Sequence, residues 1–149
     1  MAFARYFMRL SLAIWIGGLV FFPFLAQNAF STLASRQSAG LIVGKSLINL
    51  HWIGLGCGVV FLICSVASRG ARKFAVRNLL VLLMMIGTSI SQFGVIPRMD
   101  AIRASIPGEI DSVPADDPAR AEFDTLHKAS TDIEGLILLM GLGALYLAG

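Results

Sequence analysis

The residues of this chain best suited to chemistry are two histidines, His51 and His127, and two acids, Asp132 and Glu134. Each lies within or beside an apolar run, where an ionisable group is costly to keep and marks a functional site by default. On a helix, Phe123, His127, Ser130 and Glu134 follow spacings of four, three and four, which puts them on one face and stacks His127 above Glu134. Imidazole with one or two carboxylates suits a divalent ion such as Zn²⁺, and the same groups can pass protons. His51, His127, Asp132 and Glu134 are therefore the candidate metal ligands. A wider polar set is expected at the same height: Gln27 and Asn28 close the first apolar run, Asn49 opens the second, Gln92 and Arg98 end the third, and Ser130 precedes the fourth. A structural account competes, in which His51 bonds a neighbouring helix, His127 sits in headgroup-level water and Arg98 clamps Glu134 or Asp132.

No pattern names a reaction. HExxH, CxxC, P-loop and GxSxG motifs are absent, and no nucleophile turn for a Ser/His/Asp hydrolase is found, so no catalytic residue is assigned. Met84, Met85, Cys57 and Cys64 include soft ligands for Cu(I), but such residues in apolar runs usually pack. On one helix the two cysteines stand about 10 Å apart along the axis, too far for a disulfide.

These groups need elements to carry them. Of 149 residues, 56% are hydrophobic and 14% charged, against roughly a quarter charged in soluble domains. A membrane-spanning helix needs about 20 apolar residues to cross about 30 Å of hydrocarbon. Runs 7–26, 47–67 and 78–96 meet that length, and 133–148 meets it if its helix begins near residue 118. Two starts compete there: Asp117-Pro118, with Asp as N-cap and Pro at the first helical position, and a capping box of Thr131 and Glu134. The earlier is preferred. The expected fold is an all-α four-helix membrane bundle in one domain. Residues 27–46 suit one or two short interfacial helices, and 98–117, with Pro107, Gly108 and Pro114, a partly ordered loop. No internal repeat suggests an inverted-repeat transporter. Arg5 and Arg9 before an apolar run resemble a secretory signal, but the run is too long, and Phe24 stands where cleavage after Ala26 wants a small residue.

Charge sets the expected orientation. The segments before the first run and between the second and third hold Arg5, Arg9, Arg69, Arg72, Lys73 and Arg77 with no acid, whereas seven acids fall between Asp100 and Asp124. Basic residues collect in cytoplasmic loops, so both termini are expected inside and the acidic connection outside, in a multi-pass protein of the cell inner (plasma) membrane. The net charge of +3 follows from this asymmetry and not from a nucleic-acid surface. Small residues let helices approach in lipid, so Gly17, Gly18, Gly54, Gly58, Gly87 and Ser91 are the expected packing positions. By depth, Glu134 stands nearer than His127 to His51 and is its expected neighbour.

The chain resembles the transmembrane-protein-205-like family of small four-span proteins with a domain of unknown function. The likeness rests on Trp15-Ile16-Gly17-Gly18, Ala29-Phe30, Ala39-Gly40 with Gly44, Ile96-Pro97-Arg98-Met99, Arg103, and Phe123-x-x-x-His127-x-x-Ser130. The resemblance implies a helical membrane protein with a eukaryotic relative linked to cellular resistance to platinum drugs, and an Asn at the position of Glu134. The Trp-Ile-Gly-Gly run is also similar to copper-resistance membrane domains and to a small haem-associated protoporphyrinogen oxidase, which would want a histidine in the first run.

The expected function is a polar centre in the outer third of the bundle that binds or moves a small ligand or metal cation. The alternatives are a haem- or metal-dependent redox enzyme, or a structural, partner-binding subunit. The lipid bilayer is the expected partner, homo-oligomer formation is open, and nucleic acid is not expected. A reporter fused after Gly149 should be active only in its cytoplasmic form; activity solely outside the membrane would reverse the orientation.

Overall fold

Four apolar rods account for nearly all of the computed structural model, which describes residues 2–67 and 73–148. Arg69 and Arg72, two of the basic residues used for orientation, lie outside the described residues. The helices are α1 (Ala2–Thr32), α2 (Arg36–Ala67), α3 (Lys73–Ile90), α4 (Ile96–Ser105) and α5 (Pro118–Leu147). A π-turn over Ser91–Val95 joins α3 to α4 without leaving helical dihedrals, so Val76–Ser105 is one rod of 30 residues. All four rods are long and apolar enough to cross a membrane. At about 1.5 Å per residue, rods of 30 to 32 residues exceed the hydrocarbon thickness by about 15 Å, so the bundle projects from the bilayer.

The rods pack in the cyclic order α1, α2, α3, α5, with α5 returning against α1. The core holds Leu12, Trp15, Phe61, Val81, Met84 and Ile137, while Phe21, Phe24, Ile63, Leu82, Phe93 and Leu139 are exposed on the outside. Apolar side chains on both surfaces of a bundle mean lipid as the solvent, since in water the outer set would be driven inward. One end carries the N- and C-terminal residues of the first and last rods and is called the termini end. The other carries the α4–α5 connection and is called the loop end.

The connections differ from expectation. Residues 27–46 are not interfacial helices: α1 and α2 run straight through, leaving Leu33–Ser35 as the turn. No proline interrupts 27–46, and Ala39, Val43 and Leu47 keep one helical face pointed inward, so nothing stops either helix. Ser35 Oγ accepts from the N–H of Ser38 at 3.3 Å and caps the first turn of α2. The third rod likewise continues past Ile96 through Pro97. A proline has no N–H to return to the preceding turn, and the chain absorbs the loss by bonding Ile96 N–H to Ser91 O, five residues back. The expected loop from Arg98 therefore begins only after Ser105. It turns at Gly108, whose φ of 100° favours glycine, and includes a 3₁₀ turn, Ile110–Ser112. The last helix takes the earlier start, where Asp117 Oδ1 accepts from the N–H groups of Ala119 at 2.8 Å and Arg120 at 3.4 Å. Thr131 instead donates to His127 O inside the helix.

Small residues set the helix spacing. A Cβ on Gly54 would run into the indole of Trp15, and one on Gly58 would meet Met85 at 2.7 Å and Trp15 at 3.2 Å. The notch between these two glycines therefore houses Trp15 in mid-span, away from the interface where tryptophan usually anchors. Gly18 receives Leu50, Gly87 receives Ile137, and Gly141 fits between Ile16 and Met84. Gly17 does not pack: it is exposed, and a Cβ there meets nothing within 4 Å, because the neighbouring face of α1 is the one turned to α2. At the termini end Arg9 Nε donates to Ala148 O at 3.1 Å, and Arg77 donates to Ser65 Oγ at 3.1 Å while covering the Phe61 ring.

Gly54→Leu should lower the melting temperature in detergent, reflecting a loss of about 1–3 kcal/mol from overpacking, while Gly17→Leu should melt like the parent. Equal melting of the Gly54 variant and the parent would mean that α1 and α2 do not meet at this notch.

Candidate functional site

Three rods contribute one hydrogen-bonded chain. His51 on α2 sets Nδ1 2.9 Å from Gln92 Oε1 in the π-turn and Nε2 2.7 Å from Glu134 Oε1 on α5. His51 is 1% exposed and the Glu134 side chain 15%. Gln92 follows Thr88 by four residues, so helical spacing puts it on the inward face of this rod together with Ser91, and all three are buried. Proton positions follow from donor and acceptor types. The Gln92 carbonyl only accepts, so Nδ1 carries a hydrogen, and the short contact to Glu134 then holds one proton on either Nε2 or Oε1. The pair is thus an imidazolium with a carboxylate or an imidazole with a carboxylic acid. The second oxygen, Oε2 of Glu134, is buried with no protein partner, as are the hydroxyls of Thr88 and Ser91.

Glu134 also lines a cavity of about 670 Å³ at the loop end. Its long walls are α1 (Leu19, Phe22, Pro23, Ala26, Phe30) and α5 (Phe123, His127, Ser130, Thr131, Gly135, Leu138). Its back is formed by α2 (Gly40, Val43, Gly44, Leu47) and α4 (Ile96, Met99, Arg103), and the 3₁₀ turn lies across the top. The cavity exists because α1 and α5 meet near the termini end, through Arg9 with Ala148 and Ile16 with Gly141, and part above Leu19 and Leu138. At the mouth Arg36 pairs with Asp111 at 3.2 Å and Ser35 donates to Glu109 at 2.7 Å, tying the connection to α2, while Arg103 pairs with Asp100 at 3.1 Å within α4. Arg103 lies over the Phe123 ring, 5.2 Å from its centre, and His127 stacks on that ring at 6.5 Å.

Of the residues singled out by sequence, His51, Gln92 and Glu134 come together. His127 and Ser130 line the cavity, His127 exposed and Ser130 buried. Asp132 is exposed on α5 and is not among the cavity walls. Gln27, Asn28 and Asn49 are exposed on the outer faces of α1 and α2. Arg98 clamps neither Glu134 nor Asp132: it points outward and pairs with Glu122 at 2.6 Å, because residue 98 falls on the exposed face of α4. Among the described residues, no three His, Cys, Asp or Glu side chains are grouped to hold a metal ion. Asp100, Glu109 and Asp111 were read only for topology, and Thr88 was not singled out at all. The spacing of Thr88, Ser91 and Gln92, all polar within one apolar run, was the available signal for a buried polar face.

A family model described as Domain of unknown function (DUF4149) matches residues 10–106. The chain belongs to the DUF4149 family. No curated protein and no solved structure matches it. The match spans α1 through α4, so the DUF4149 region supplies His51 and Gln92, and α5 with Glu134 follows beyond it.

Removing one member of a buried polar pair leaves the other stranded, so His51→Ala should cost about 3 kcal/mol of bundle stability in detergent. The double variant His51→Leu with Glu134→Leu should lose less than that single change. Additive losses in a double-mutant cycle would show that the two groups do not interact.

Proposed function

We propose that this four-span membrane protein binds a small cationic ligand, with Glu134 at the foot of the loop-end cavity as the charge that receives it. The observation that carries the reading is the place of Glu134, whose side chain is 15% exposed and stands among the walls of a large, mostly apolar cavity. With the shared proton in place the His51–Glu134 pair is neutral, so a cation binds here by taking that proton's place as the counter-charge of the carboxylate. His51, itself held by Gln92, positions the carboxyl group by bonding one of its oxygens. Charge agrees with the sign, since the cavity is lined by five carboxylates, of Asp100, Glu109, Asp111, Asp124 and Glu134, against the guanidinium groups of Arg36 and Arg103.

The resemblance to the transmembrane-protein-205-like family supports placing function at this cavity. Phe30, Gly40, Gly44, Ile96, Met99, Arg103, Phe123, His127 and Ser130, all residues that carry the likeness, are among its walls. A divalent metal ion is one cation this reading admits, with Glu134 as its donor and His127 the other ligand-type side chain on the same wall of the cavity. In the proposed orientation both termini are cytoplasmic and the cavity faces the outside of the cell's inner membrane, so the ligand is met there or in the outer leaflet.

Thermal unfolding in detergent across a series of metal ions, alkali ions and organic cations tests the reading. A ligand at about 100 times its Kd stabilises by about 2.7 kcal/mol, so at least one cation should raise the melting temperature in a concentration-dependent way in the parent and not in Glu134→Gln. A series in which no cation stabilises the parent, or in which the stabilising cations act equally on the variant, would remove Glu134 as the binding charge.

A further inference from the structure

We infer that the ligand is a lipophilic organic monocation, an apolar body carrying one diffuse positive charge, and that it reaches the cavity sideways from the bilayer between α1 and α5. The inference rests on the cation-binding reading above and narrows its ligand class. Size argues first. A cavity of about 670 Å³ is far larger than a bare ion needs and falls in the range of about 300–1,000 Å³ typical of sites for small organic molecules.

The walls argue next. Below the charged mouth the surface is apolar, formed by Leu19, Phe22, Leu47, Ile96 and Leu138, with Glu134 the one carboxylate at that depth. A compact hydrated ion would exchange its water shell for hydrocarbon and a single carboxylate, a poor trade. A cation whose charge is spread over an apolar frame is weakly hydrated. It can bury that frame against the walls, meet the ring faces of Phe22 and Phe30, and place its charge by Glu134. A neutral body of the same shape has no charge to exchange for the shared proton of Glu134, and an anion would meet the carboxylates of Asp100, Glu109, Asp111 and Asp124 at the mouth.

The route follows from how the two helices part. Pro23 on α1 and Thr131 and Gly135 on α5 line the cavity and are also exposed, so its side lies open between these helices where lipid surrounds the bundle. A Cβ on Gly135 meets nothing within 4 Å, so a larger side chain there can occupy the opening without disturbing helix packing.

Tetraphenylphosphonium and tetraphenylborate are nearly identical in shape and opposite in charge, and equilibrium dialysis of the full chain in detergent against each tests the inference. Tetraphenylphosphonium should bind saturably above empty micelles and tetraphenylborate should not. Glu134→Gln should weaken the former about thirtyfold, the scale for loss of one partner in a buried charge pair. Gly135→Phe should weaken it while melting like the parent, which keeps the test usable if the Glu134 variant fails to fold. Equal binding of both probes, undiminished binding of tetraphenylphosphonium by Glu134→Gln, or undiminished binding by Gly135→Phe would overturn the inference in charge, site or route respectively. If tetraphenylphosphonium does not bind but an inorganic cation stabilises the chain through Glu134, the ligand class is wrong and the binding reading stands. If no cation does so, both fall.

Discussion

A polar side chain inside a bilayer has no water to fall back on, so the bond chain Gln92–His51–Glu134 constrains everything around it. An imidazole buried to 1% exposure in hydrocarbon is tolerable only if both ring nitrogens find partners. Its own helix cannot supply them. The partners come from the π-turn on one side and α5 on the other, which fixes the rotation and height of three rods relative to one another. The glycine notches are the steric counterpart of this requirement. Gly54 lies on the same face of α2 as His51, three residues on, and accepts Trp15. Gly87, four residues before Ser91, lets α5 approach α3 through Ile137. Without such close approach, a side chain as short as glutamate could not span from α5 to an imidazole on α2.

The same economy explains the asymmetry between the two ends. Toward the termini, small residues on α5 (Gly141, Ala144, Ala148) draw it onto α1 and the core, and Arg9 closes the contact at a terminal carbonyl. Toward the loop end, α5 instead presents Thr131, Gly135 and Leu138 to the Phe22, Pro23 and Phe30 side of α1, and the helices separate into a cavity. Because every rod outruns the hydrocarbon, the mouth of that cavity lies where charged groups can be hydrated. The ion pairs Arg36–Asp111 and Arg103–Asp100 sit there, on side chains of mixed exposure, and contribute little to stability. The effect of Arg36–Asp111 is geometric, in tying the α4–α5 connection to α2 over the opening, whereas Arg103–Asp100 is a pair within α4.

The all-α class and the four apolar rods were legible in the sequence, because hydropathy over a membrane-length run depends on composition and not on tertiary context. The start of the last helix was legible too, since Asp117-Pro118 is a local signal that does not need its neighbours. What escaped was how far the helices continue. Ordinary polar and apolar residues at 27–46 are neutral between an interfacial segment and a straight projection, and the choice is made by packing against the other rods. Pro97 pointed to an end, and the π-turn that accommodates it is a tertiary arrangement. Depth alone placed His51 level with Glu134, and the two are in contact at 2.7 Å. Depth does not carry azimuth, however. Gln27, Asn28, Asn49 and Arg98 share the height of the site and face outward, whereas Gln92 shares the buried face of Met84 and Thr88.

At Glu134 the length and charge of one side chain decide what the site can do. An Asn at that position, which the resemblance implies elsewhere, is one methylene shorter and carries no charge. It could bond His51 only with closer helices, and it would leave the foot of the cavity neutral. With Glu, the extra methylene reaches the imidazole at the observed helix spacing, and one oxygen remains over after that bond is made. Several aromatic and arginine walls of the cavity are residues that carry the family likeness, while the carboxyl group at its foot is that of Glu134. A shared shape with a changed charge alters which ligands a site accepts more than whether it binds at all. The carboxyl group to which the proposed cation binding is assigned thus resides in α5, outside the residues 10–106 that the DUF4149 model matches, and His51 and Gln92, which position it, reside within them.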